Sequence, residues 1–461
     1  MMKALTSLLA LGLLAATPAT QAQSAQTDSL SADQVAADLQ EWENWLLATH
    51  PDPDFSMDVH AVQARFEALR NTVEGRYTRR EAWLVMARLN PMFRDGHITL
   101  RLPGADYQAY LDTGGAEFTL PVELTPHGLV IAETVADTSQ FDPGSRILAI
   151  NGLAVAPLLD DALSRIHGDS DGLRRHLLET RFSQYLWALT GGADSWTLDV
   201  TCPEGSQQTI RLDPSRDVAA VDPATSSLEF RDNAAVLTLN SFMPDQTPDF
   251  YEFVDEAFAE IDARGTDILV IDISENGGGA HMLSDHLLNY LTTERHTPLS
   301  AVTARITPEN QALIPGSEVG QIVSMPFAQW VEPPADWPHR FDGRFAFLVG
   351  AGSYSQSIVL AATVQDFGIA PVAGPGTEGR ANSTGQVQLH PLAETGLEAV
   401  APIYVFTRAS GDTSNAPIIP DIPLSGSREE QTEAFTGLLP STHSTEHGPP
   451  IAPGLMLDTV R

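Results

Sequence analysis

Lysine is almost absent from this chain. Lys3 is the only one among the 26 Lys+Arg residues, so the rest are arginines. Arginine stays protonated at any working pH and cannot take up a proton. Once the first residues are removed, a Ser-Lys dyad, a Schiff-base lysine and a phosphate-loop lysine are all excluded. Cysteine is as scarce, because Cys202 stands alone. It forms no internal disulfide and reads as a small buried apolar residue. With no cysteine cluster and no His-Glu-x-x-His motif, neither a metal nor an organic cofactor is expected. Positive charge is the third deficit. Against 60 Asp+Glu the formal net charge is −34. Nucleic acid and anionic membrane surfaces both require basic patches, so neither is expected as a partner. Long apolar runs are missing as well: no segment reaches the roughly 20 residues of a membrane span.

What is present begins with a targeting pattern. Lys3 precedes the mostly apolar stretch Ala4 to Ala16, Pro18 breaks it, and Thr20-Gln21-Ala22 puts small residues where a signal peptidase reads. Residues 1–22 therefore read as a secretory signal cleaved near Ala22, and the mature protein as periplasmic or extracellular. No cysteine follows the apolar stretch, which argues against a lipid anchor. The 461 residues, 43% hydrophobic and 19% charged, have the composition of a globular protein of several domains.

Residues 23–114 read as a small helical domain. Ser31-Ala32-Asp33-Gln34 is a capping box, followed by Val35, Leu39, Trp42 and Leu46 on one helical face. Val62, Phe66, Leu69 and Val73 mark a second helix, and Thr78-Arg79-Arg80-Glu81 caps a third. Asp52, Asp54 and Asp58 lack the glycine and distal glutamate of a calcium loop and read as solvated turn residues. From about Phe118 the apolar period changes to two. Residues 115–215 read as a PDZ-like β module with an enlarged helical insert, on the strength of Asp142-Pro143-Gly144…Ile150-Asn151-Gly152. Over 216–430 strands and helices alternate, which predicts an α/β core with buried strands. Residues 431–461, rich in Pro, Ser, Thr and Gly, read as a flexible tail.

Gly168-Asp169-Ser170-Asp171-Gly172 matches the G-x-S-x-G nucleophile elbow. That elbow works only between a strand and a helix. Here helical pattern flanks it on both sides, so it reads as a polar loop between helices. Ser355 is better placed, because the strand around Phe345–Val349 runs into it and a helix follows. A serine there faces unpaired N–H groups, and the Gln356 N–H could bind an oxyanion. Ser353, Ser355 and Ser357 are all equally credible as helix caps. Asp272 to Ala280, with Gly277-Gly278-Gly279, also follows a buried strand and lets the backbone approach a ligand closely.

These segments occur in a telling order: Asp272…Asn276-x-Gly278-Gly279, then Ser353-x-Ser355-x-Ser357, then Gly374-x-x-Thr377-x-Gly379, then Pro420-Asp421-Ile422. The set resembles the carboxyl-terminal-processing serine peptidases, the family of tail-specific and tricorn-core proteases. Asp95-Gly96-His97 is similar to the Asp-Gly-His-Thr motif of its lysine-independent branch. The resemblance covers about residues 31 to 425. It implies an α/β fold with a crotonase-like or Clp-protease-like catalytic core, preceded by the small helical domain and the PDZ-like module. It implies a Ser355 nucleophile, with Gly278 and Gln356 supplying the oxyanion N–H groups. The position of the lysine base falls on Arg380, so His97 becomes the expected base, with His281 and His286 as rivals. Where the family has a supporting glutamate the chain offers only Asp412, the candidate third residue. The expected function is an exported serine peptidase acting on peptides or proteins through an acyl-enzyme. The alternatives are a catalytically silent peptide-binding protein of the same fold and a non-peptide acyl hydrolase.

Overall fold

The computed structural model describes residues 29–438, apart from 133–141, 213–225, 232–233, 246, 248, 308–310, 314 and 427. The expected signal segment lies outside the described residues. Helices Ala32–Thr49, Val59–Thr72 and Arg79–Met86 form the N-terminal segment. Both capping boxes are made: Ser31 accepts from the Gln34 N–H, and Thr78 from the Glu81 N–H. Trp42 is fully buried and meets Phe66 and Phe93 edge-on, with ring centroids 5.3 and 5.4 Å away.

An antiparallel sheet follows, with strands in the order 122–125, 128–131, 146–150, 197–201 and 207–211. Helices Val155–Leu163, Asp171–Thr180 and Phe182–Thr190 are inserted within it. The apolar core runs without a break from the N-terminal helices into this module and on to Leu397 and Ala399. Side chains thus cross the sequence boundary near 115, and the two segments share one interior.

The catalytic segment is built on a six-stranded sheet in the order 227–231, 234–238, 268–272, 344–348, 372–374 and 422–423. The first pair is antiparallel and the others are parallel. All five residues of Ile268–Asp272 are buried, as a central parallel strand covered on both faces requires. A second, antiparallel sheet joins 322–326, 299–305, 398–408 and 384–391. The two-residue strand Thr99–Leu100 pairs with Ala399 and Val400 in this sheet. That pairing carries the Asp95-Gly96-His97 turn from the N-terminal segment to the edge of the catalytic segment. Residues 431–438, expected in the tail, belong instead to the helix Arg428–Leu438. Its Phe435 is buried against Val236, Val270 and Leu348. The Pro-Ser-Thr-Gly composition that suggested a tail begins only after that helix.

Candidate active site

Strand Arg344–Leu348 ends beneath the turn that carries Ser355, and the helix Gln356–Asp366 starts directly after it. The three serines divide their work. Ser353 Oγ donates to the Ile273 carbonyl at 2.7 Å, and Ser357 Oγ donates to Asn276 Oδ1 at 2.7 Å. Ser355 makes no capping bond, and its backbone sits at φ 53°, ψ −119°. A left-handed φ on a residue other than glycine costs about 1–3 kcal/mol and persists only where the surroundings impose it. These bonds account for the outer serines, and the middle one is held in a strained, partly exposed position. Gln356 opens the helix, so its N–H has no intrahelical acceptor.

The glycine loop lies against this turn. A Cβ on Gly278 would stand 2.7 Å from both the Gln356 nitrogen and Ser355 Cβ, and φ is +97°. Only glycine allows that approach. Asn276 ties the two together: its carbonyl accepts the Tyr354 N–H at 3.0 Å, and its side-chain amide donates to Leu239 O at 2.8 Å. It also corrects one expectation. The Gly278 N–H donates to Asn276 Oδ1 at 2.8 Å. In this arrangement the expected second oxyanion donor is already engaged.

His97 is brought in by the second sheet. Its Nδ1 lies 2.9 Å from Thr384 Oγ1, at the start of strand Thr384–Pro391. Thr384 Oγ1 donates to Asp95 Oδ1 at 2.9 Å, and Asp95 Oδ1 also accepts the His97 backbone N–H at 2.7 Å. A hydroxyl that donates to the carboxylate accepts from Nδ1–H. The network therefore assigns the imidazole proton to Nδ1 and leaves Nε2 as the acceptor. The side chain is 13% exposed, and its ring lies beside Tyr354 at 4.9 Å between centroids. Burial lowers the His97 pKa to about 4, with the Asp169 charge opposing part of the fall. Burial, and then the Asp169 charge, raise that of Asp95. Its Oδ2 is buried without a hydrogen-bond partner, a position for a retained proton.

The remaining candidates lie elsewhere. Asp412 is exposed and its carboxylate is taken up by the Ser414 N–H and hydroxyl, both at 2.9 Å. The groups that orient His97 are Thr384 and Asp95, so Asp412 does not stand as the third residue. Loop proximity in sequence suggested it, whereas sheet pairing decides. His281 is exposed at the start of its helix, and His286 Nε2 is paired with Asp255 at 2.6 Å. Arg380, at the lysine position, donates to the Arg94 carbonyl at 2.6 Å and lies 3.4 Å from Asp169.

Sequence reading missed Thr384 and Asp169. Thr384 follows Asn382 and Ser383 in a polar run, and nothing local marks it. Asp169 lies in the loop between helices Val155–Leu163 and Asp171–Thr180, as expected of 168–172, but that loop reaches the site. Its Oδ1 accepts from the Gly96 N–H and the Tyr354 hydroxyl, both at 2.8 Å.

Residues 233–424 match the model of peptidase family S41. That segment carries the Ser355 turn and the glycine loop, and the match supports a serine peptidase. Among solved structures, mature CPAF complexed with lactacystin superposes with a TM-score of 0.62 at 13% identity, over 88% of this chain and 97% of that one. At that identity the likeness concerns the fold. The photosystem II D1 C-terminal processing protease gives a TM-score of 0.45 at 17% identity, over 86% and 96% of the two chains. No curated protein matches the chain. Among the described residues no helix is long and apolar enough to cross a membrane.

Proposed function

We propose that this chain is a serine peptidase of the lysine-independent carboxyl-terminal-processing type, acting on peptides or proteins. The observation that carries the reading is the strained, uncapped Ser355 directly after Tyr354, whose ring lies beside a His97 imidazole with its Nδ1 already committed. Ser355 Oγ attacks the substrate carbonyl and passes its proton to His97 Nε2. The Gln356 N–H holds the oxyanion. His97 returns the proton to the leaving amine, and water then hydrolyses the acyl-enzyme. Thr384 and Asp95 keep the imidazole in the tautomer this requires. The module at 115–215 is read as PDZ-like, a site for peptide termini, and the mature chain as exported after cleavage near Ala22.

A second reading, a silent binding protein of the same fold, is favoured by one observation: the Gly278 N–H is occupied by Asn276. Peptide turnover by the purified mature chain separates the two. The peptidase reading expects hydrolysis that falls by several orders of magnitude in both Ser355→Ala and His97→Ala, with substrate binding retained. Peptide binding without any hydrolysis by the unaltered chain would establish the second reading.

A further inference from the structure

We propose that Asp169 is a positioning residue for the reaction, a single carboxylate that fixes the His97 loop against the Ser355 turn. The proposal rests on the reading of Ser355 and His97 as the reacting pair. The carboxylate is 5% exposed and receives donors from three separate segments. Oδ1 accepts the Gly96 N–H and the Tyr354 hydroxyl, each at 2.8 Å. Oδ2 accepts the Arg380 N–H at 2.9 Å, and the Arg380 guanidinium lies 3.4 Å away. Gly96 and Tyr354 are the residues immediately before His97 and Ser355. One anion thus sets where each reacting side chain begins.

The contact between the two segments is close. The Tyr354 hydroxyl lies 2.9 Å from the Gly96 nitrogen, and a Cβ on Gly96 would fall 2.5 Å from the Tyr354 ring. Burial raises the Tyr354 pKa well above its ordinary value, so the phenol remains a donor. Asp169 is itself anchored. Ser170 caps the following helix by accepting the Leu173 N–H at 3.0 Å, and its hydroxyl donates to Glu378 Oε2 at 2.6 Å, two residues before Arg380. A buried carboxylate is tolerated when hydrogen bonds and an opposite charge satisfy it, and removing it strands its donors. A loop that only joined two helices would need neither the burial nor the three donors and the ion pair. The insert of the small β module therefore supplies part of the catalytic geometry.

The test uses the full mature chain and Asp169→Asn, which preserves shape but puts an amide against the Arg380 N–H. Expected are a kcat lower by ~10–100-fold, a KM within about threefold, faster amide exchange at Gly96, and a His97 titration moved further down. The titration is read by NMR in a Ser355→Ala background, and a purely structural loop contact would not move it. If Asp169→Asn does not fold, Tyr354→Phe removes one donor alone and is expected to show the same pattern at roughly 3–10-fold in kcat. Unchanged kcat together with unchanged Gly96 exchange would overturn the proposal. If the unaltered chain cleaves no peptide, the peptidase reading fails by itself. Gly96 exchange then still decides whether Asp169 clamps the two segments, and unchanged exchange would overturn the proposal.

Discussion

At the scale of the residue, the network around His97 makes two statements that can be measured. The first concerns Thr384. Its hydroxyl is the only described contact that fixes which ring nitrogen carries the proton. Thr384→Val keeps the shape and removes the hydroxyl, so kcat should fall by about 10²-fold with KM nearly unchanged, as for a misplaced catalytic group. Steady-state kinetics on a peptide substrate would check it. The second concerns pH. A base must be neutral to take a proton, and burial lowers the His97 pKa to about 4. Activity should therefore rise through roughly pH 4 and be retained at pH 5.5. An unburied histidine, titrating near ~6.5, would lose most activity there. The Ser355 turn was legible in the sequence because it lies between a buried strand and a helix, a local pattern. Thr384 and Asp169 were not, because hydrogen bonds made by pairing 97 with 384 and 96 with 169 leave no trace in local spacing.

The elements explain why these residues meet. The strand Ile268–Asp272 lies next to 344–348 in parallel, so the glycine loop and the Ser355 turn leave the same edge of the sheet side by side. Gly278 then packs onto the start of the helix Gln356–Asp366. Gly278→Ala places a Cβ within 2.7 Å of backbone and side-chain atoms at a positive φ, so it should abolish most turnover while the fold survives. Circular dichroism beside a peptide assay would show it; full activity would mean that the loop does not shape the site. Most strands and helices were readable, since Ile268–Asp272 is a continuous apolar run and Ser31 and Thr78 announce their helices. The joining of Thr99–Leu100 to a strand about three hundred positions later was not. The helix Arg428–Leu438 was hidden by a polar composition and is held by the buried Phe435.

At the scale of the molecule, burial holds His50, His97 and His167 neutral. Burial lowers His50 and His167 to about 3 and His97 to about 4. Each binds a proton more readily when unfolded, so folding stability falls as pH drops below their ordinary ~6.5 and continues to fall down to about pH 3. Glu179, raised to about 7 mainly by burial, acts in the opposite sense. Its contribution is fully present below the unfolded carboxylate range and is lost as pH rises through about 7. Below roughly pH 4.5 the effect of His50 and His167 continues, joined by the lowered carboxylates of Glu81 and Asp412 and opposed by the raised Asp95. Urea midpoints should accordingly drop steeply between pH 4.5 and 3, and His167→Gln should flatten that drop. The central claim, that Ser355 is a nucleophile activated by His97, is tested most directly by labelling with a serine-directed fluorophosphonate near pH 7, followed by peptide mapping. The account predicts one adduct, on Ser355, formed at least ~10²-fold more slowly in folded His97→Ala. An unlabelled Ser355 in the folded, unaltered chain, or equal labelling rates with and without His97, would contradict it.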